Sequence, residues 1–191
     1  MPAPLESLIA VAIGIGLAAA AGFRVFTPFL VAGLAARWGV LPLADGFTWL
    51  ASTGALVTLG TATVLEVSAY YIPGVDHVLD LLASPAAVLA GVIASAAVMA
   101  DIPPAILWPV AIIGGGGVAG LTKASSAVVR AKAGLTTAGL ANPVVATGET
   151  AGAVGLAIAA IVVPLVCLFV VAVVVLWLAR KALRFMSRST A

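Results

Sequence analysis

Long apolar runs alternate with short polar stretches along this chain. Strand-like alternation of apolar and polar residues is absent, and alanine, leucine and glycine dominate the runs, so we expect helices. A helix needs about 20 apolar residues to cross a bilayer. The pattern therefore predicts an all-α, polytopic transmembrane helical bundle, a single domain over residues 1–191, with about five spans at roughly 7–36, 47–71, 85–100, 104–122 and 150–179.

One charge and one proline interrupt the first apolar run. Arg24 is the only charged residue between Leu8 and Leu34. Pro28 has no N–H, and its ring clashes with the carbonyl four residues earlier, which belongs to Arg24. We therefore predict a proline-broken first helix with a free carbonyl beside a guanidinium. An arginine at the bilayer centre costs at least about 2.5 kcal/mol, so its charge should face protein or water.

The stretch "IPGVDHVLDLL" after the second run has the spacing of an amphipathic helix. Asp76 and Asp80 share one face of such a helix. Its apolar residues recur at i, i+3, i+4 and i+7, namely at Val75, Val78, Leu79 and Leu82. The spacing predicts a short interfacial helix over 74–82.

Two similar segments, 82–91 and 140–149, each contain a good capping residue followed by proline. Ser84 precedes Pro85, and Asn142 precedes Pro143, so each pair predicts a helix start. The similarity has two interpretations: an internal duplication of the kind found in transporters, or two ordinary capped helices.

Residues 123–149 are the most polar part of the middle of the chain. Lys123 and Arg130 are seven residues apart and so share one helix face. We predict a helix through both, then a bend, and the segment either crosses, re-enters or lies on the membrane. The preceding glycines, Gly114–Gly117, either break a helix or allow close helix contact. No P-loop is formed, because Leu121 and Thr122 follow where Lys and Ser or Thr are required.

The composition of the chain predicts a protein that is embedded in lipid. The chain is 63% hydrophobic and only 8% charged, whereas soluble domains carry about 25% charged residues. The start "MPAPLES" lacks Lys and Arg, so we expect a retained first span rather than a signal peptide. The basic tail "RKALRFMSRS" predicts a cytoplasmic C-terminus in a bacterial inner membrane and gives no nucleic-acid face. A single cysteine and a single histidine predict neither a disulfide nor a metal site, and no cofactor is expected.

Glu66 and Glu149 are the carboxylates that we expect to meet Arg24. Three interpretations stay open: a buried ion pair that fixes helix packing, a ligand site, and a side chain that reaches the interface. The basic pair Lys123 and Arg130 forms either an anion-contacting strip or a face against lipid phosphates. The two aspartates either bind a cation or solvate their helix. The candidate ligand or ion-pair network comprises Arg24, Glu66, Asp76, Asp80, Lys123, Arg130, Asn142 and Glu149.

Three stretches carry a resemblance to a known family: "AGFRVFTPFLVAGLAARWG", "LEVSAYYIPGVDHVLDLLASP" and "TKASSAVVRAKAGLTTAGLANPVVATGE". They resemble a bacterial and plastid family of small membrane proteins known as domain of unknown function 4126. The resemblance implies that the family motifs fall on Gly22, Arg24 and Pro28, on Glu66, Pro73 and Asp76, and on Asn142, Pro143 and Glu149. The chain departs from the family pattern at four positions, where the family often has charged residues: Tyr70, Tyr71, Ser84 and Thr150. The resemblance implies no activity.

Two functions fit these features. The first is a small transporter or channel for a small solute, an anion or a phosphate-bearing lipid, since helix N-termini and buried cations attract anions. The second is a non-catalytic scaffold or accessory subunit of a larger membrane complex. We do not expect an enzyme, because no nucleophile–base pair is evident. The expected partners are the lipid bilayer and either a second copy or other membrane subunits.

Overall fold

The computed structural model describes residues 4–72, 75–137 and 140–189, with the side chains of 75–81, 179 and 182–189 outside the description. The regular structure of this part of the chain is helical throughout, so the predicted all-α fold is confirmed. Its α-helices are α1 Pro4–Phe23, α2 Thr27–Arg37, α3 Thr53–Ala69, α4 Val75–Ala97, α5 Pro104–Pro109, α6 Gly117–Thr137, α7 Asn142–Val162 and α8 Pro164–Ser189. A 3-10 helix covers Asp45–Ala51, and a π-helical turn covers Val110–Gly116.

Helix α1 lies at the centre of the bundle. It packs against α4, α6, α7 and α8, and every residue from Ala12 to Gly22 is buried. Most of these residues are glycine or alanine, which let helices in lipid approach one another closely. A Cβ atom on Gly16 would lie 2.5 Å from the Cβ of Ala160, and one on Gly22 would lie 2.6 Å from the carbonyl oxygen of Ala119. The core therefore depends on near backbone-to-backbone contact around α1.

The chain leaves helical geometry at residues 24–26, between α1 and α2. Pro28 lies in the first turn of α2, where its missing N–H leaves no orphan donor. The Arg24 N–H still donates to Ala20 O at 3.1 Å, and the regular pattern resumes where Leu30 N–H donates to Phe26 O at 3.1 Å. The predicted proline-broken first helix is confirmed.

Several helices have the length and composition of membrane spans. Three helices are each long and apolar enough to cross a membrane, namely Pro4–Phe23, the continuous helix Pro104–Thr137 and Asn142–Val162. A fourth arises if Asp45–Ala51 and α3, which meet at 71°, count as one bent span. Two further apolar helices among the described residues, Leu82–Ala97 and Pro164–Leu178, are shorter. A helical membrane bundle is supported, whereas the predicted five spans are not.

The predicted last span over 150–179 is wrong, because it joins parts of two helices. Helix α7 ends at Val162, and α8 begins at Pro164. Pro164 offers no N–H and crowds the carbonyl of Ala160, and Val163 leaves the helical region at φ −135° and ψ 61°. The polar segment 123–149 contains the end of one helix, α6, and the start of the next, α7, as predicted.

Helix α6 runs through Lys123 and Arg130 as predicted, but it continues a helix that begins at Pro104. The glycine run makes a π-helical turn and does not break this helix. A Cβ on Gly115 would lie 2.7 Å from the carbonyl oxygen of Gly91 in α4. Of the two predicted roles for these glycines, close helix contact is the one that the structure contains.

The prediction of a helix start at Ser84 and of a separate helix over 74–82 is wrong. Helix α4 runs without interruption from Val75 to Ala97, with Pro85 inside it. An internal proline costs about 3 kcal/mol, and the burial of later residues of α4, such as Ala94, against α1 offsets that cost. The predicted apolar stripe, apart from Leu82, and the carboxylates of Asp76 and Asp80 lie outside the described side chains.

The second capped start is shifted by one residue. Helix α7 begins at Asn142, with Ala141 in the cap position and no side-chain cap bond. Asn142 is therefore not the predicted cap, although Pro143 does lie in the first turn as predicted. Two turns of helix separate Asn142 from Glu149, so both lie on one face of α7.

Gly22→Ala should lower the free energy of unfolding by about 1–3 kcal/mol, because the new methyl group overlaps the Ala119 carbonyl and forces α1 from α6. Unfolding in mixed micelles measures the change. Gly155→Ala is the matched control, since its Cβ meets nothing within 4 Å, and it should leave stability equal or slightly higher. Equal losses in both variants would contradict the close-packing role of Gly22.

Candidate functional site

Arg24 is enclosed at the end of α1, directly before the helix break. Its side chain is 0% exposed. Nε donates to Thr150 Oγ1 at 3.1 Å, and Nη2 donates to the carbonyl oxygen of Ala146 at 2.9 Å. Nη2 also lies 3.4 Å from Oε2 of Glu149. The guanidinium is thus held by one face of α7, and the predicted pairing with Glu149 is present.

Glu149 is shared between two arginines. Its Oε2 also accepts a hydrogen bond from Nη2 of Arg130, and its Oε1 accepts one from the hydroxyl of Ser126. The carboxylate is 5% exposed. Because a buried charge is tolerated only when it is paired and hydrogen-bonded, these contacts fix α6 and α7 to the end of α1.

Tyr70 forms the aromatic centre of the cluster. The guanidinium carbons of Arg24 and Arg130 lie 4.1 and 4.5 Å from the centroid of its ring. Nζ of Lys123 donates to the Tyr70 hydroxyl at 3.2 Å. Cations near an aromatic face are attracted by the ring quadrupole. One buried phenol therefore contacts three cationic side chains that come from α1 and α6.

Glu66 accepts hydrogen bonds from the backbone of the break. Its Oε1 accepts a hydrogen bond from the Val25 N–H at 2.8 Å, and its Oε2 accepts one from the Phe26 N–H at 3.2 Å. These donors precede α2, whose own cap residue makes no side-chain bond. A carboxylate from α3 thus replaces a local N-cap and meets the positive end of the α2 dipole. Of the two predicted partners of Arg24, Glu149 makes the ion pair and Glu66 holds the broken backbone.

One donor of Arg24 is left over. Its Nη1 is buried and has no hydrogen-bond partner in the part of the chain that the structure describes. A buried donor without an acceptor costs about 1–3 kcal/mol, and more when it is charged. This donor is the clearest sign that the cluster has capacity for a further acceptor.

A groove of about 500 Å³ adjoins the cluster between α3 and α4. Among the residues whose side chains the structure describes, it is lined by Glu66 and Tyr70 and by the apolar Val25, Phe26, Ala62, Leu65, Ala69, Leu82, Ala83 and Ala86. The groove has the volume of a ligand pocket. Groove and guanidinium share Tyr70 as a neighbour, because Tyr70 lines the groove and its ring lies 4.1 Å from the guanidinium carbon of Arg24.

The structure brings together five of the eight predicted site residues: Arg24, Glu66, Lys123, Arg130 and Glu149. Asn142 lies at the start of α7, and the side chains of Asp76 and Asp80 are outside the description. Sequence reasoning missed Tyr70 as the centre of the cluster, although its place at the end of an apolar run beside Glu66 was visible. It also missed the role of Thr150, for which no sequence signal exists.

The model of the family described as domain of unknown function (DUF4126) matches residues 11–184. The chain belongs to the DUF4126 family. The match includes all five clustered residues, so the resemblance inferred from the three motif stretches is confirmed. No curated protein and no solved structure matches the chain. The function of this DUF4126 chain must therefore be argued from its own geometry.

Two substitutions separate the partners in this DUF4126 cluster. Glu149→Gln should lower the free energy of unfolding by about 3–5 kcal/mol, because two buried guanidiniums lose their shared carboxylate. Arg24→Met should cost only about 1.5–3 kcal/mol, since Arg130 and Ser126 still hold Glu149. Chemical unfolding in micelles measures both, with Arg37→Met as an exposed control. A larger loss in Arg24→Met than in Glu149→Gln would contradict the shared pairing.

Glu66→Ala should free the backbone of the break. With both acceptors gone, hydrogen exchange at the Val25 and Phe26 amides should rise roughly tenfold, which corresponds to loss of a cap worth about 1.4 kcal/mol. Thr61→Ala on the same helix is the control, because the Thr61 hydroxyl bonds only within α3, to Val57 O. Unchanged exchange at both amides in Glu66→Ala would refute the capping role.

Proposed function

We propose that this membrane protein is a transporter or channel for an anionic solute, either a small anion or a phosphate-bearing lipid. The observation that carries the proposal is Nη1 of Arg24, which has no hydrogen-bond partner among the described residues, in a side chain that is 0% exposed. Burying a charged donor without an acceptor is unfavourable. A bound anion would supply that acceptor.

The surroundings of Arg24 favour negative charge. Lys123 and Arg130 are also buried, at 4% and 5% exposure, and both contact the Tyr70 ring or its hydroxyl. The start of α2 adds the positive end of a helix dipole, as at the broken helices of many transporters. Glu66 already occupies that helix start with its own carboxylate. We therefore place an entering anion at Nη1 of Arg24 and not at the start of α2.

The break itself supports a passage. Irregular backbone at membrane depth is tolerated only where protein or a cavity lines it, and here the groove contacts Val25 and Phe26. We propose no catalytic step, because the cluster consists of cations, carboxylates and a phenol that already hydrogen-bond to one another. No cofactor is part of the proposal.

The orientation in the membrane is also a proposal. Arg180 and Lys181 are exposed at the end of α8, and Lys181 Nζ lies 5.0 Å from the Trp177 ring centroid. Basic and aromatic residues together are typical of an interface, and basic residues favour the cytoplasmic side. We propose a bacterial inner-membrane protein with a cytoplasmic C-terminus. A homo-oligomer would cover α3, which has no fully buried residue.

A scaffold or accessory subunit is the second candidate. The observation that favours it is the closed contact of Glu149 with Arg24, Arg130 and Ser126, which fixes three helices without any ligand. Small residues along α1 also suit tight packing within a larger assembly. Under this proposal the cluster has a purely structural role.

Flux measurements in liposomes decide between the two candidates. If the solute is a small anion, the wild type should pass phosphate, sulfate or chloride faster than protein-free vesicles, with no effect on an uncharged sugar. If it is a phosphate-bearing lipid, the wild type should instead move that lipid between the two leaflets faster than protein-free vesicles do. Arg24→Met should lower this flux roughly tenfold or more, because one charge-assisted contact is lost. Arg37→Met removes an exposed arginine outside the cluster and should keep the flux.

Each alternative outcome is informative. Equal flux in Arg24→Met and wild type would refute a role of Arg24 in transport. Absence of anion flux in the wild type, together with stoichiometric co-purification of other membrane proteins, would favour the scaffold. The stability measurements on the same variants separate loss of flux from loss of folding.

A further inference from the structure

We infer that the groove between α3 and α4 holds one acyl chain of an anionic phospholipid, whose phosphate group is bound by Arg24. The inference rests on the proposed anion site and names the substrate class for it. The groove supplies the apolar part of the site, and Nη1 of Arg24 supplies the donor for the headgroup.

The chemistry of the groove selects a hydrocarbon. Of the ten described residues that line it, eight are apolar, and they come from the break, from α3 and from α4. A free hydrophilic anion gains nothing from such walls and loses its hydration there. A chain of methylene groups has no hydration to lose and fits such walls by close packing. The ligand that uses this groove is therefore an amphiphile.

The position of the cations selects a negative headgroup. Val25 and Phe26, the residues that follow Arg24, line the groove, and so does the Tyr70 ring that lies against the guanidinium. The groove is thus bordered by the two residues that follow Arg24 in sequence and by the aromatic residue that contacts its guanidinium. Arginine forms charge-assisted hydrogen bonds to phosphate, and Nη1 is the nitrogen of Arg24 that has no acceptor among the described residues.

Glu66 lies at the junction and does not oppose this arrangement. Both of its oxygens already accept hydrogen bonds from the Val25 and Phe26 amides. Its charge is further offset by the α2 dipole. The carboxylate therefore marks the boundary between the apolar groove and the cationic cluster.

Photo-crosslinking of the purified full chain tests the inference. The probe is phosphatidylglycerol with a photoreactive group in one acyl chain, and the comparison lipid is the diacylglycerol that lacks the phosphate. We expect phosphatidylglycerol to label Leu65, Ala69 or Leu82 roughly tenfold more than the diacylglycerol does, as one charge-assisted contact predicts. Inorganic phosphate in solution should not compete, because it has no apolar part.

Matched variants locate the lipid. Ala86→Trp fills the groove from α4 and should abolish this labelling, whereas Leu89→Trp, three residues along the same helix at a side chain 63% exposed and outside the groove, should keep it. Ala62→Phe fills the groove from α3 and replaces Ala86→Trp if that variant fails to fold. Arg24→Met should reduce phosphatidylglycerol labelling to the diacylglycerol level.

Three results would overturn the inference. They are equal labelling by the two lipids, labelling that Ala86→Trp and Ala62→Phe leave intact, and displacement of the lipid by inorganic phosphate, which would assign the site to free phosphate. Arg24-dependent anion flux without groove labelling would refute the inference and leave the proposed function standing. Loss of both would refute the two together.

Discussion

A buried guanidinium that must be satisfied inside an apolar bundle is the constraint on which the arrangement of the other helices depends. Arg24 draws Ala146, Glu149 and Thr150 of α7 to the end of α1. Glu149 in turn requires Ser126 and Arg130 of α6. In an apolar medium each unmet polar group costs several kcal/mol. The positions of α6 and α7 around α1 therefore follow from one charge.

The small residues of α1 make this network geometrically possible. Gly16 and Gly22 allow neighbouring helices to come within backbone distance. Side chains from three helices then reach the same few ångströms around Arg24. Larger residues on α1 would widen the bundle and separate the donors from their acceptors. The close packing around α1 and the hydrogen bonding of the buried polar groups thus depend on each other, and neither explains the site alone.

Local signals in the sequence predicted the loss of regular hydrogen bonding at Pro28, but they missed the interruption at Pro164 and wrongly predicted a helix start at Pro85. Pro28, Pro85 and Pro164 have the same local chemistry. Pro28 and Pro164 mark interruptions between helices, whereas α4 continues through Pro85. The difference lies in tertiary packing, which a single sequence does not display. The five-span count failed for reasons of length and geometry. Among the described residues, Leu82–Ala97 and Pro164–Leu178 are shorter than a span, and Asp45–Ala51 joins α3 only across a 71° bend.

The candidate site likewise contains features that the sequence predicted and features that it did not. A charge in an apolar run must find an opposite charge, so Arg24 and Glu149 were predictable as partners. The capping role of Glu66 was not predictable, because almost every residue has a backbone N–H and the sequence does not show which of them lacks an acceptor. Tyr70 was visible only as an aromatic residue at the end of a run. Its central position depends on α1 and α6 meeting there, which is a property of the assembled bundle.

The long separations within the network set the order in which the chain becomes stable during synthesis. The amides at the break gain their acceptor only when Glu66, 41 residues later, has been synthesised. The Arg24 guanidinium gains its bond to Thr150 only 126 residues later. Chains emerge from the ribosome N-terminal end first. The first helix therefore enters the membrane with a charge that nothing in the nascent chain yet neutralises. Until α7 arrives, water or the insertion machinery has to solvate that charge, and chains that stop before α7 are expected to be substrates for membrane quality control.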